Sequence, residues 1–212
     1  MSAAPGLREL KKAQTRQTIA DTALRLFTER GFDQVTVAEV ARKAVVSEAT
    51  LFNYFPTKED LLFSSMGAYE ARLVDAVRDR DSGTSAVAAL TEFLLRPQHD
   101  RLSSMDSDVL ATMARMVTAS PALLARERLV FAEHTAELAA VLAQETGADA
   151  EDLAPSVVAN ALMGVHRAIL DSVRRRALDG QPNPSLARDV RLQAGRALTL
   201  LAQGLGGYGN RL

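Results

Sequence analysis

Three polar side chains near residue 50 have the types and the spacing needed to contact the edges of DNA bases. With helical spacing, Leu51 and Phe55 lie on one side of a short helix, and Glu48, Thr50 and Asn53 are left on the outside. The amide of Asn53 can pair with an adenine edge, and the methyl group of Thr50 can contact thymine; the Glu48 carboxylate can accept from a cytosine amine or simply cap the helix. Such a helix suits a major groove, although an ordinary helical hairpin with a polar outer face shows the same pattern.

Further side chains beside that helix are suited to phosphate contacts. Thr36, Tyr54 and Lys58 carry hydroxyl or ammonium groups, and we expect them to hold phosphates and set the register on the duplex. Lys58 follows Thr57 at the start of another predicted helix, where unpaired N–H groups and the helix dipole attract anions. Ser47 caps the short helix and is counted among the expected DNA contacts.

Chemistry of other kinds has little support in the sequence. The histidines are His99, His134 and His166, and there is no cysteine, no Gly-x-Ser-x-Gly motif and no His-Glu-x-x-His pair. We therefore predict no catalytic role and no cofactor. Two isolated histidines do not define a metal site, so none is predicted. His134 and His166 are either core residues or contacts to a small ligand.

Two short helices must position the side chains that face DNA. Thr36 followed by Glu39 is a capping box that starts the first, and Ser47 can cap the second. Pro56 ends the second helix, because the residue before a proline avoids the helical region. A longer helix over 15–30 precedes this pair and packs against it.

This region resembles the DNA-binding domain of the TetR family of bacterial transcriptional repressors. The resemblance covers roughly residues 12–62, and it implies an all-helical C2 dimer without naming a ligand. Position 45, often glycine in the family, is valine here; at positive φ a β-branched side chain costs about 1 kcal/mol or more. The matching residues are Ala23–Phe32, Thr36, Val37, Val40, Ala41, Val46–Phe55, Lys58, Glu59, Leu61 and Leu62.

Composition supports an all-α, water-soluble protein. The chain has 212 residues, of which 47% are hydrophobic and 5% aromatic, and no apolar run reaches the length of a membrane span. The N-terminus lacks the apolar core of a signal peptide, so we expect a cytoplasmic protein. The net charge of −1 does not indicate a nucleic-acid partner. A local basic cluster does indicate one, by offering contacts to phosphates, and its alternative interpretation is a solvated leader segment. The cluster consists of Arg8, Lys11, Lys12 and Arg16.

The chain divides into four predicted parts. Residues 1–14 form a flexible basic arm, and residues 15–62 form a helix–turn–helix domain with its motif at 36–55. Residues 63–205 form a helical domain for ligand binding and dimerisation, built from amphipathic helices with a loop at 98–104. Residues 206–212 are a glycine-rich tail.

Two surfaces are predicted in the larger domain. Adaptable methionines and aromatic residues favour an apolar effector cavity, although each is also a plausible core residue. Small and apolar stripes on the last two helices favour a four-helix dimer interface. The predicted effector contacts are Met66, Phe93, Met113, Met116, Phe131, His134, Met163 and His166, with Asn160 and Arg167 as further polar contacts. The predicted interface residues are Ala161, Gly164, Ala168, Val190, Ala194, Ala197 and Leu201.

The sequence therefore predicts a homodimeric regulator, most simply a repressor, that binds a palindromic DNA operator. A small and mostly apolar ligand would release it. The main alternative is a helical ligand carrier or protein-interaction module without DNA binding.

Overall fold

The chain is α-helical throughout the residues that the structure describes. A computed structural model describes residues 6–96 and 105–205, apart from the side chains of Ser65 and Met66, and neither range contains a strand. Within these ranges no helix is both long enough and apolar enough to cross a bilayer. The predicted all-α class is confirmed. The helices are α1 Leu7–Arg30, α2 Val37–Lys43, α3 Glu48–Tyr54, α4 Lys58–Arg78, α5 Ala86–Leu95, α6 Ser107–Ala119, α7 Pro121–Thr146, α8 Ala154–Leu178 and α9 Asn183–Leu205.

The first helix begins earlier than the sequence pattern predicted. It starts at Leu7 and not near Thr15, so residues 7–14 are helical and the prediction of a flexible arm is wrong for them. Leucine, lysine, arginine and glutamate are good helix formers, and no proline or glycine interrupts the segment. The basic side chains of this segment are therefore held on a helix. Residues 1–5 and the predicted tail at 206–212 lie outside the described residues, as does the loop at 98–104.

Side-chain caps begin the helices around the helix–turn–helix motif. At α4, Thr57 Oγ1 accepts from the Asp60 N–H at 3.2 Å, and Asp60 Oδ2 accepts from the Thr57 N–H at 3.0 Å, which makes a complete capping box. At α2 only the first half of the predicted box is seen, since Thr36 Oγ1 accepts from the Glu39 N–H at 3.2 Å. The Glu39 carboxylate instead pairs with Arg30 at the end of α1. This ion pair ties α2 to α1.

The turn between α2 and α3 holds Val45 in a backbone conformation that strains a β-branched residue. Val45 has φ 57°, the left-handed region that favours glycine. The Val46 N–H donates to Ala41 O at 3.0 Å and the Val45 N–H to Arg42 O at 3.3 Å, the bonding pattern of a Schellman motif. The turn thus has the geometry expected of a glycine, but with a β-branched residue in it.

Two main cores hold the fold together. The first lies between α1, α2, α3 and the start of α4, and it continues into Met116 and Val117 of α6 and Leu123 and Val130 of α7. Helices α2 and α3 therefore depend on the second half of the chain for their core. The second core joins α4, α5, α7, α8 and α9, and α4 contributes to both. A smaller cluster packs α6 against α8 and α9.

Candidate nucleic-acid interface and effector site

The exposed face of α3 is held by two fully buried anchors. Leu51 and Phe55 have no exposed surface, whereas Glu48 and Asn53 are exposed, as predicted. Phe52 is 45% exposed on the same helix, and the sequence analysis did not single it out. An aromatic ring at this place can contact a thymine methyl group or a sugar, so the exposed face is less polar than predicted.

The hydroxyl of Thr50 already makes a hydrogen bond within the protein. Ser47 Oγ accepts from the Thr50 N–H at 3.0 Å, and the two hydroxyls are 2.8 Å apart. Thr50 is half-buried, while Ser47 is exposed. The cap thus fixes the start of α3, and the expected contribution of Thr50 to DNA recognition is limited to its methyl group.

Arg16 has a structural role that the sequence did not reveal. Its guanidinium donates to the carbonyl oxygen of Tyr54 at 2.7 Å and lies 4.4 Å from the centre of the Phe55 ring. A cation at this place satisfies an unpaired carbonyl at the C-terminal end of α3 and complements the helix dipole. Arg16 therefore clamps α3 onto α1, in contrast to the rest of the predicted basic cluster.

Arg8, Lys11 and Lys12 border a shallow groove that ends at Tyr54. The groove has a volume of about 410 Å³, and Thr15 also lines it. All three cations are exposed. Glu9 lines the groove as well, so three cations face one carboxylate there and leave it net positive.

Thr36 caps α2 and Lys58 begins α4, the two helices that flank α3 in the chain. Lys58 is half-buried, and its ammonium group is 4.2 Å from the centre of the Phe32 ring, within cation–π distance. Thr36 is exposed at the N-cap of α2. Packing on the ring limits the directions that the lysine can take, so its charge is fixed near the start of α4.

A half-buried ion pair joins the start of α4 to α7. Arg126 Nε donates to Asp60 Oδ1 at 2.6 Å, and Arg126 also pairs with Glu133 at 3.2 Å. Burial by itself would raise the pKa of Asp60, but the hydrogen bonds from Arg126 and Thr57 outweigh it and hold that pKa below its ordinary value. The pair links the DNA-side end of α4 to the larger domain, and no sequence pattern pointed to it.

The predicted effector residues divide between two cores. Phe93, Phe131, Met163 and His166 lie together in the second core. Met116 and Met113 belong instead to the first core, so the prediction that all these residues surround one cavity is wrong for that pair. The apolar pattern could not separate them, because it does not specify which neighbouring helix a residue packs against. The side chain of Met66 lies outside the described residues.

The side chain of His134 on α7 lies against α4. Its Nδ1 is 3.3 Å from Glu137 Oε2, and its Nε2 faces Gly67, where an added Cβ would lie 4.0 Å away. Burial would raise the pKa of Glu137, but Arg78 and His134 together lower it. The histidine is thus a half-buried bridge near the helix–helix contact.

A groove between α7 and α8 passes beside the second core. It has a volume of about 460 Å³, within the roughly 300–1,000 Å³ of small-molecule sites. Phe131 and Met163 form part of its floor, and Asn160 and Arg167 lie on its rim. Beneath that floor His166 contacts Glu70, which the sequence analysis missed because it lies alone in an otherwise apolar stretch of α4.

The predicted dimer face is only partly accessible. Val190 and Ala194 are 5% exposed because they pack inside the protomer, so the prediction that they meet a partner is wrong. Leu201 packs on the second core, and Ala197 is half-buried. Helical periodicity identified the apolar side of α9 correctly, but α5 and α8 cover it. On α8 the predicted small residues are exposed or half-buried: Ala161, Gly164 and Ala168.

No group of three or more metal-binding side chains occurs within the described residues. The arrangement is that of a DNA-binding regulator: an α3 that presents its side chains outward, positive groups around it, and a larger helical domain behind. Residues 19–64 match the family described as bacterial regulatory proteins, tetR family, and residues 84–198 match the MftR C-terminal domain. The chain therefore belongs to the TetR family of bacterial transcriptional regulators.

Individual relatives agree with this assignment. The chain is 29% identical to the transcriptional regulator TcmR of Streptomyces glaucescens over 70% of its own length and 67% of TcmR. It is 38% identical to the transcriptional repressor KstR of Mycobacterium tuberculosis, over 38% of this chain and 34% of KstR. The structure of Thermus thermophilus FadR in complex with lauroyl-CoA superposes with a TM-score of 0.50 at 26% identity, covering 87% of this chain and 93% of FadR. All three relatives are transcriptional regulators.

Proposed function

We propose that the protein is a repressor that binds a palindromic operator as a homodimer and leaves it when a small, mostly apolar molecule binds the larger domain. The observation that carries the proposal is the anchoring of α3: Leu51 and Phe55 are fully buried, and this keeps Glu48, Phe52 and Asn53 exposed. A rigid helix that presents side chains outward is what base recognition requires.

The roles of individual side chains follow from their chemistry and exposure. Asn53 pairs with an adenine edge, Thr50 presents its methyl group to thymine, and Glu48 accepts from a cytosine amine or remains at the helix start. Phosphates bind at Lys58, Thr36 and Tyr54, next to the cap at Ser47. The cations Arg8, Lys11 and Lys12 extend these contacts along the flanking phosphates.

Dimerisation through α8 and α9 is supported by exposed apolar side chains. Val157 lies in line with Ala161, Gly164 and Ala168 on α8, at a helical spacing that makes one stripe. On α9, Leu192 and Leu200 are 60% and 70% exposed. Small residues let a partner helix approach closely, and one such interface across a two-fold axis puts the two copies of α3 on one face of DNA, about one turn apart.

Release by a ligand is supported by the way α4 joins the two ends of the molecule. Lys58 at its start belongs to the DNA side, whereas Leu73 and Val77 belong to the second core. A ligand that shifts the second core must move α4 or strain it, because α4 also packs against α1 and α7. The relative FadR holds lauroyl-CoA, so acyl-CoA thioesters are among the first ligands to screen.

The test is a selection of genomic DNA fragments by the purified full-length protein, followed by footprinting of the fragments that the protein retains. We expect a symmetric footprint with two half-sites centred about one helical turn apart. A gel shift with the DNA upstream of its own gene is the quick version. Equal retention of all fragments at low salt would contradict the proposal and favour the alternative of a carrier or interaction module.

A further inference from the structure

A carboxylate and an imidazole meet inside the second core. Glu70 of α4 has no exposed surface and His166 of α8 is 2% exposed. Glu70 Oε1 and His166 Nε2 are 3.1 Å apart. Such a pair costs desolvation, and an apolar pair of similar volume would commonly be as stable or more stable. Its presence therefore calls for a reason other than stability.

Each member of the pair has a second polar atom that is buried without a partner. Glu70 Oε2 and His166 Nδ1 have no hydrogen bond to any residue that the structure describes. A buried polar atom left unpaired is costly, and native proteins keep few of them. Both unpaired atoms belong to the same contact, which marks it as a place where a ligand's polar group is received.

Flat rings surround the pair. The His166 ring stacks on Tyr69 with centroids 5.5 Å apart and planes at 30°, and Phe131 lies 5.5 Å away on another side. Phe93 continues the aromatic surface 5.2 Å from Tyr69. Phe131 also forms part of the floor of the α7–α8 groove, so its ring contacts both the groove and His166.

The two unpaired atoms of the pair decide which ligand group fits. One unpaired atom is a carboxyl oxygen and the other a ring nitrogen, so a group that both donates and accepts satisfies them best. A hydroxyl group does this, whereas a ligand carboxylate would face the Glu70 oxygens.

We infer that Glu70 and His166 recognise the hydroxyl group of a flat, otherwise apolar effector that enters through the α7–α8 groove. This inference rests on the proposed ligand release and names the class of ligand. The rival is an anionic ligand held by Arg128 and Arg167, which line the groove. The two ligand classes differ in which side chains their binding requires.

The experiment titrates the full-length protein with four probes of one shape and follows binding by calorimetry. The probes are 2-naphthol, naphthalene, 2-naphthoate and protonated 2-naphthylmethylamine. We expect 2-naphthol to bind about tenfold or more tightly than the other three, because a hydrogen bond to a charged group exceeds 1.4 kcal/mol. A double variant, Glu70→Met with His166→Phe, removes both polar partners and leaves no unpaired atom. It should fold normally and bind naphthol and naphthalene equally.

The control is Glu137→Gln, which alters a carboxylate of the same domain and should keep the naphthol preference. Tightest binding of 2-naphthoate, lost in Arg167→Met, would overturn the inference in favour of the anionic ligand. Binding of none of the probes, or a naphthol preference that survives in the double variant, would also overturn it. These titrations need no DNA, so a failure of the proposed repressor function is seen separately in the fragment selection.

Discussion

Arg16 and Lys12 lie one helical turn apart on α1, but only Arg16 is part of the packing. The Arg16 guanidinium binds the Tyr54 carbonyl and covers the Phe55 ring, whereas Lys12 is exposed beside the basic groove. We expect Arg16→Met to lower the free energy of unfolding by about 1–2 kcal/mol, since it removes a charge-assisted hydrogen bond. Urea titration measures this loss.

Lys12→Met is the matched control, with the same new side chain on the same helix. It should leave the unfolding free energy unchanged and reduce the salt dependence of DNA binding by about one ion. Equal stability of the two variants would show that the Arg16 clamp contributes nothing.

Lys58 and Asn53 are predicted to affect DNA binding in different ways. Lys58→Ala should weaken binding to all duplexes about equally and lower the slope of log affinity against log salt by about one. Asn53→Ala should cost about 1–3 kcal/mol on the operator and little on other DNA, because it removes a base contact. Fluorescence anisotropy on operator and scrambled duplexes separates the two outcomes, and Arg188→Ala, an exposed change on α9, is the control. A uniform loss in both variants would refute the assigned roles.

Val45 is a place where a smaller side chain should stabilise the fold. It has φ 57° and is 90% exposed, so Val45→Gly relieves backbone strain and gives up almost no packing. We expect a gain of about 1 kcal/mol and a higher melting temperature. Ala49→Gly, on the exposed side of α3, should instead destabilise by about 1 kcal/mol, because it lies in a helix. A destabilised Val45→Gly protein would mean that the turn is not strained.

The Asp60–Arg126 pair makes part of the stability depend on pH. Because the folded pKa of Asp60 lies below its ordinary value of 3.8, the pair stabilises the fold above that pH and loses its effect as the pH falls through the lower folded pKa. Arg126→Met should therefore cost about 1 kcal/mol at neutral pH and progressively less as the pH falls below 3.8. Arg25→Met, which breaks an exposed pair with Glu29, should cost almost nothing at either pH. A cost for Arg126→Met that does not change with pH would exclude Asp60 as the titrating group.

Leu192 tests the proposed dimer face. Leu192→Arg puts a charge on an exposed apolar site of α9 and should convert the dimer to monomer in light scattering, with a loss of operator binding. Leu129 is 56% exposed on α7, so Leu129→Arg is a change of the same kind elsewhere and should leave the dimer intact. A dimer that persists in Leu192→Arg would move the interface to another surface.

The sequence alone was sufficient for the helix–turn–helix motif and for the starts of α3 and α4. The Ser47 and Thr57 side chains accept hydrogen bonds from N–H groups three residues further on, so local chemistry determines where those helices start. The start of α1 was missed because Gly6 offers no side-chain cap to mark it. Family resemblance singled out position 45 but left its backbone conformation open, and the structure gives it a positive φ.

Tertiary structure decided what the remaining side chains do. Arg16 and Lys12 look alike in the sequence, and so do Met116 and Met163, because charge and apolar character do not specify which neighbour a residue meets. Glu70 gave no signal at all, since its partner His166 is 96 residues away along the chain. Local patterns fix helices through contacts within a few residues, whereas the clamp, the two cores and the buried pair come from helices that meet only once the chain has folded.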